Sequence, residues 1–143
     1  MDAAILDTDM LSEVLKRKDQ TVLSVARQYL TEHQRFAFSD MTVYEITRGL
    51  KATQATRQLA DFLKTVATSD VFPISRSVLM RASELWVEGR IGGHPLHDAD
   101  LIIAATAMEH QRVLVTGNTL HYAWIKGLQL ADWRAATPTQ PNN

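Results

Sequence analysis

Oxygen-bearing side chains recur in this sequence directly after, or directly before, short apolar runs. Asp7 and Asp9 bracket Thr8 behind AAIL at 3–6, Glu45 lies within TVYEITRGL at 42–50, Asp98 and Asp100 precede LIIAATA at 101–107, and Asn118 follows VLVTG at 113–117. Carboxylates gathered at low dielectric repel one another, so some stay protonated unless a cation neutralises them. With oxygen donors and no cysteine in the chain, the suitable ion is Mg²⁺, or Mn²⁺ in its place. An acidic pocket holding such an ion suits phosphoryl chemistry on a polyanion.

For these residues to meet, the elements between them must return to one edge. The run at 3–6 reads as a strand, and Met10, Leu11, Val14 and Leu15 repeat at helical spacing behind it. Residues 20–33 form a second helix, FAF at 36–38 a second strand, and a third helix begins at Thr42. After a break at 52–55, residues 56–67 continue helically, and DVFPI at 70–74 is a third strand whose Pro73 argues for an edge. A helix over 77–90 and a Gly/Pro loop at 91–96 precede a run too long and too alanine-rich for a strand, so 98–111 is predicted as a buried helix. RVLVT at 112–116 is a fourth strand, 118–127 a short helix, and LQLADW at 128–133 a fifth strand. Alternating strands and helices imply an α/β fold with a mostly parallel sheet of four to five strands. In such sheets, ligands bind beyond the carboxyl ends of the strands, where Asp7, Glu45, Asp98, Asp100 and Asn118 are expected to converge.

The bulk numbers bound the rest. At 143 residues, 45% hydrophobic and 22% charged, the chain is one ordinary domain, expected over 1–136, with a frayed tail at 137–143. The absence of cysteine excludes disulfides and thiol nucleophiles and is compatible with the cytoplasm. The start MDAAILDTDML lacks the basic flank and long apolar core of a secretory signal, and no stretch suits a membrane span. A net charge of −1 gives no global footprint for nucleic acid, so a polyanion must be met by local cations.

Each acid also has a purely structural reading. Thr42 and Glu45 fit a capping box, Asp98 and Asp100 complement the positive end of a helix, and Asn118 and Asp9 suit helix N-caps. Asp7 is harder to explain that way, because a charge at the end of a buried strand needs compensation.

Four stretches taken together, ILDTDML at 5–11, TVYEITRGL at 42–50, HDADLIIAATA at 97–107 and VLVTGNTLHY at 113–122, resemble in order and spacing the acidic motifs of PIN-domain ribonucleases. The look is closest to the VapC toxins of bacterial VapBC toxin–antitoxin pairs, and LQLADW resembles their last strand. The resemblance, which spans residues 3–133, implies a compact three-layer α/β/α domain. It also implies a homodimer, a Mg²⁺-dependent endoribonuclease cutting RNA, often tRNA, and a VapB antitoxin as inhibitor. Carried onto this chain, Asp7, Glu45 and Asp100 match the family's characteristic acids, and Asn118 falls where members carry Asp or Asn. His121 stands where many relatives have Asp or Glu, a departure compatible with phosphate binding or with packing.

Helical geometry separates the paired aspartates, since residues two apart point about 200° away from each other. Asp100 shares a face with Ile103, Ala104 and Ala107 and stands three before the IA that follows the family's metal ligand. Asp98 is left as the helix N-cap, able to reach water around the ion. The expected roles are then Asp7 and Asp100 on Mg²⁺, Glu45 completing the site or accepting a proton from the attacking water, and Asn118 orienting that water or a phosphate oxygen. Arg48 and Lys51 would meet RNA, or form a solvated helix face. The products implied by resemblance carry 5′-phosphate and 3′-hydroxyl ends. Two rivals stand beside this reading: a PIN-like module that binds without cutting, and a haloacid-dehalogenase-like phosphatase suggested by Asp7-Thr8-Asp9, which lacks that family's later motifs.

Overall fold

The structure is a computed structural model and describes residues 1–135. Five short strands, β1 (Ala4–Leu6), β2 (Ala37–Ser39), β3 (Asp70–Phe72), β4 (Val113–Val115) and β5 (Leu130–Ala131), alternate with seven helices. These are α1 (Thr8–Lys16), α2 (Gln20–His33), α3 (Asp40–Ala52), α4 (Thr56–Ala67), α5 (Arg76–Gly92), α6 (Asp98–Glu109) and α7 (Thr119–Tyr122). Every strand pairing is parallel, as an α/β alternation requires.

The sheet comes in two hydrogen-bonded pieces, β1-β4-β5 and β2-β3. Ile5 pairs with Leu114 in the first and Phe38 with Val71 in the second. β1 and β2 lie side by side, but no ladder joins them among the described residues. β3 is an outer strand that ends at Phe72, so Pro73 follows an edge as its missing donor demands.

Strand residues alternate between two cores. Ala4, Leu6, Phe38 and Val115 face Met10, Leu11 and Val14 of α1, Val22, Ala26 and Tyr29 of α2, and Phe62 of α4. Ile5, Ala37 and Leu114 face Val78, Ala82 and Leu85 of α5 and Leu101, Ile103, Ala104 and Ala105 of α6. Helices on both faces make the expected three-layer α/β/α arrangement. A helix buried nearly all round needs apolar residues nearly all round, and α6 has them from Leu101 to Ala107. Its one buried hydroxyl, on Thr106, is satisfied by donating to the Ile102 carbonyl at 2.7 Å.

Several boundaries differ from expectation. α3 starts at Asp40 rather than Thr42, because β2 passes straight into it at Ser39. α5 runs on through Gly92 into the stretch read as loop, and Gly93, at φ 72°, closes it with its N–H on the Arg90 carbonyl. α6 stops at Glu109, β4 and β5 are shorter than 112–116 and 128–133, and α7 is a single turn. The stretch expected as a tail, 137–143, lies outside the described residues.

Candidate active site

Asp7 is the last residue β1 controls. Its backbone N–H continues the sheet by donating to the Val115 carbonyl at 3.0 Å, while its Oδ1 accepts from the Met10 N–H at 2.8 Å. The residue thus ends a strand and caps α1 at once. Asp9, expected as the cap, already lies in the first helical turn and is exposed, because the strand enters the helix without a loop. Asp7 is only 7% exposed. Burial pushes its carboxyl up to about 6; the Thr116 hydroxyl and the Met10 N–H oppose this, and the charges of Asp9 and Asp100 add to it.

Asp100 reaches the same region from the first turn of α6, half-buried where Asp98 is exposed. The predicted cap at Asp98 is not made: His97 holds the N-cap position with no side-chain bond, and Asp98 is the first helical residue. An extended residue must precede the helix, and the turn after Pro95 and Leu96 delivers His97 in that conformation. Buried Tyr122 lies beneath the acids. Burial, then the charges of Asp100 and Asp7, hold its phenol well above the ordinary range, with its hydroxyl directed at Asp100.

Glu45 is held by a relay. Thr8 Oγ1 donates to Glu45 Oε1 at 2.8 Å and lies 3.0 Å from Thr42 Oγ1. Thr8 has one hydroxyl hydrogen, committed to the carboxylate, so Thr42 is the donor between the two hydroxyls. Glu45 Oε2 faces Arg48 Nη2 at 3.7 Å. The Thr42–Glu45 capping box is therefore not formed: Ser39 caps α3 through its Oγ, which accepts from the Met41 N–H at 2.9 Å. Arg48 also lies over the Tyr44 ring at 5.0 Å, and Lys51 is exposed in the last turn of α3.

Asp7, Asp9 and Asn118 open onto a cleft of about 220 Å³ that Thr116, Gly117, Lys16 and Glu13 also line. Asn118 occupies the N-cap position of α7 as expected, but its side chain makes no capping bond; its own N–H donates to Thr116 Oγ1 at 3.1 Å. The amide is thus left facing the cleft. His121 packs edge-on against Tyr122, ring centroids 5.7 Å apart. Sequence reasoning missed three residues here: Thr8, Tyr122 and Arg134, which enters the cleft from beyond β5. The hydroxyl in Asp7-Thr8-Asp9 was a readable signal for the first; nothing local marked the last. A groove of about 490 Å³ between α1, α3 and α4 is larger but is lined by Ile46, Leu50 and Phe62, without converging acids.

The donor set fits a hard divalent cation in kind. Asp100 is close enough to raise the cost of ionising Asp7, and a cation between them would relieve it. Mg²⁺ binds through one or two carboxylates and keeps several waters, so two suffice. Among the described residues no three Asp, Glu or His side chains form a ready cage, and Glu45 is turned to Thr8 and Arg48.

The family model for the PIN domain matches residues 4–123, most of the chain. The chain belongs to the PIN-domain family. This PIN domain is 25% identical over 130 residues to the tRNA(fMet)-specific endonuclease VapC of Shigella flexneri, covering 90% of this chain and 96% of that one. Its fold is that of DNA-bound VapBC from Salmonella typhimurium, at a TM-score of 0.81 and 23% identity over 93% of this chain and 99% of that one. VapBC-1 of nontypeable Haemophilus influenzae aligns at 0.79 and 22% identity, covering 91% and 97%. The matched span contains the acids, Asn118 and His121 but stops short of Arg134. Membership gives the Asp7-Thr8-Asp9 stretch a place in the PIN fold in preference to the phosphatase reading. Among the described residues no helix is long and apolar enough to cross a membrane.

Proposed function

We propose that this PIN domain is a Mg²⁺-dependent endoribonuclease of the VapC toxin type, cutting phosphodiester bonds in tRNA or another structured RNA. A VapB-type antitoxin would inhibit it. The observation that carries the reading is the Asp7 carboxyl, buried at a strand end and pushed up to about 6, chiefly by burial, with Asp100 beside it. That is a site strained until a cation arrives. Support for RNA comes from the Shigella relative, named as a tRNA endonuclease, and support for an antitoxin from the VapBC complexes that share the fold.

When bound, the divalent cation neutralises charge on the phosphate and acidifies water for in-line attack. The chain's own residues supply the rest. Asp7 is pre-oriented by its bond to the Met10 N–H, and Asp100 brings a second oxygen donor from a rigid, buried helix. Glu45, its Oε1 fixed by Thr8, accepts the proton of the attacking water, and Asn118 hydrogen-bonds a phosphate oxygen. Arg48 and Lys51 meet the RNA backbone beyond Glu45. Exposed Met80, Val87 and Ile91 share one face of α5 at seven- and four-residue spacing, which supports self-association as a homodimer.

The test is cleavage of tRNA and oligoribonucleotides by the purified chain, with Mg²⁺ or Mn²⁺ and with chelator. Wild type should cut only with metal, and Asp7→Asn and Asp100→Asn should each lose about 10²-fold or more of the rate. Unchanged cleavage by a folded Asp7→Asn variant would overturn the assignment. No cleavage, together with no Mg²⁺ binding by calorimetry at millimolar ion, would favour a PIN module that binds without cutting.

A further inference from the structure

The acid-lined cleft contains an arginine whose position is built into the fold. Arg134 follows the buried Trp133, and its backbone N–H donates to Asp132 Oδ1 at 2.8 Å, which sets the direction in which the side chain leaves. The guanidinium then crosses to the far wall. Nη1 bonds Glu13 Oε1 of α1 at 3.3 Å, and Nε lies 3.6 Å from Asp132 Oδ1. Both contacts are long and partly exposed, with 39% of the arginine side chain open to solvent. Such pairs hold a side chain weakly and yield readily to a better anion.

Gly117 explains how the guanidinium fits. A Cβ there would sit 0.9 Å from Arg134 Nη2 and 1.9 Å from its Cζ. Its φ is not in the left-handed region, so space rather than backbone freedom requires a glycine. The niche beside Thr116 and Asn118 is thus filled by the planar end of an arginine, and Nη2 has no hydrogen-bond partner among the described residues. Three carboxylates, Asp7, Asp9 and Glu13, face this cleft against two cations, Lys16 and Arg134. A phosphodiester entering it needs a fork of donors to offset their repulsion, and guanidinium offers that fork where ammonium does not.

We propose that Arg134 is the phosphate-anchoring residue of this cleft, held over Gly117 by Glu13 and Asp132 until an RNA phosphate displaces those carboxylates. The inference rests on the nuclease reading and adds to it a positioning residue beyond residues 4–123, which the family model matches. The substrate group recognised is a backbone phosphate next to the one attacked, since the attacked one belongs to the acids. Arg134 acts on binding rather than on the bond broken, so its loss should appear in KM.

Two measurements on the full chain test this. In steady-state cleavage of an oligoribonucleotide, Arg134→Gln should raise KM about tenfold and leave kcat within about threefold, with Arg134→Lys between the two. In an Asp7→Asn background, anisotropy of a labelled single-stranded RNA over a salt series should show weaker binding and a salt slope smaller by about one for Arg134→Gln. Gly117→Ala evicts only the flexible end of a side chain, so it should fold normally, reproduce the Arg134→Gln phenotype, and add nothing to it in the double variant. If wild type cuts RNA while Arg134→Gln keeps its KM and salt slope, or if the two substitutions add, this inference fails and the nuclease reading stands. If the chain neither binds nor cuts RNA, both fail.

Discussion

A carboxylate that both ends a strand and caps a helix is useful to the backbone as an oxygen and costly as a charge. Asp7 separates the two effects by pH. Its ordinary value is 3.8 and its folded value about 6, so the folded protein binds the extra proton between them. Stability therefore falls as pH rises from about 4 to about 6, and above that the penalty is complete, about 3 kcal/mol. Asp7→Asn keeps an oxygen for the Met10 N–H and removes the charge. Its Tm should exceed that of wild type above pH 6, with the gap closing as pH falls toward 4. A gap independent of pH would refute desolvation as the cause. Mg²⁺ should raise the Tm of wild type at neutral pH and leave Asp7→Asn unmoved. Asp7 was legible in the sequence because an acid after an apolar run demands an explanation. The caps were not: which residue stays extended before each helix depends on where the preceding strand or turn releases the chain, and that choice went to Asp7, Ser39 and His97 rather than Asp9, Thr42 and Asp98.

At the scale of elements, the packing of α5 against α6 and the loop that joins them fixes where Asp100 stands. Gly89 marks the tightest point. A Cβ there would lie 2.8 Å from the His94 carbonyl oxygen and 3.0 Å from Trp124 Cη2, and the His94 N–H is itself bonded to the Gly89 carbonyl at 2.7 Å. The His94 backbone, tied to Gly89 by that hydrogen bond, cannot yield, so Gly89→Ala should destabilise by about 1–3 kcal/mol despite the better helix former. Gly49, inside α3 with nothing within 4 Å of its added Cβ, makes the control. The same substitution there should stabilise by about 0.5–1 kcal/mol. Urea midpoints for the two variants should move in opposite directions. The order and type of the elements were readable from periodicity, α6 most clearly, since its apolar run exceeds any strand. Their ends were not, because α5 continues through a Gly-containing stretch that it stabilises by packing, and β5 pairs over two residues only.

At the scale of the whole molecule, alternation of strands and helices led to the parallel α/β fold, and four motifs in order led to the three layers and to the family that the 4–123 match establishes. What patterning cannot encode is that the five strands divide into two pieces. Hydrogen-bond ladders depend on the separation of neighbouring backbones, and the same apolar residues would serve an unbroken sheet. Nor could it foresee Arg134 above Gly117, which depends on the path of the chain after Trp133.

The division runs between the strand that ends at Asp7 and the strand that leads to Glu45. Side-chain packing and the Thr8 hydroxyl bonds cross it, with no ladder between β1 and β2 among the described residues. In mechanical terms the compliance of the domain lies between Asp7 and Glu45, so their separation can change without breaking a backbone bond. Deuterium uptake at Ala37–Ser39 and Asp70–Phe72 should then run faster than at Ala4–Leu6, and equal protection of the two pieces would show that they open together.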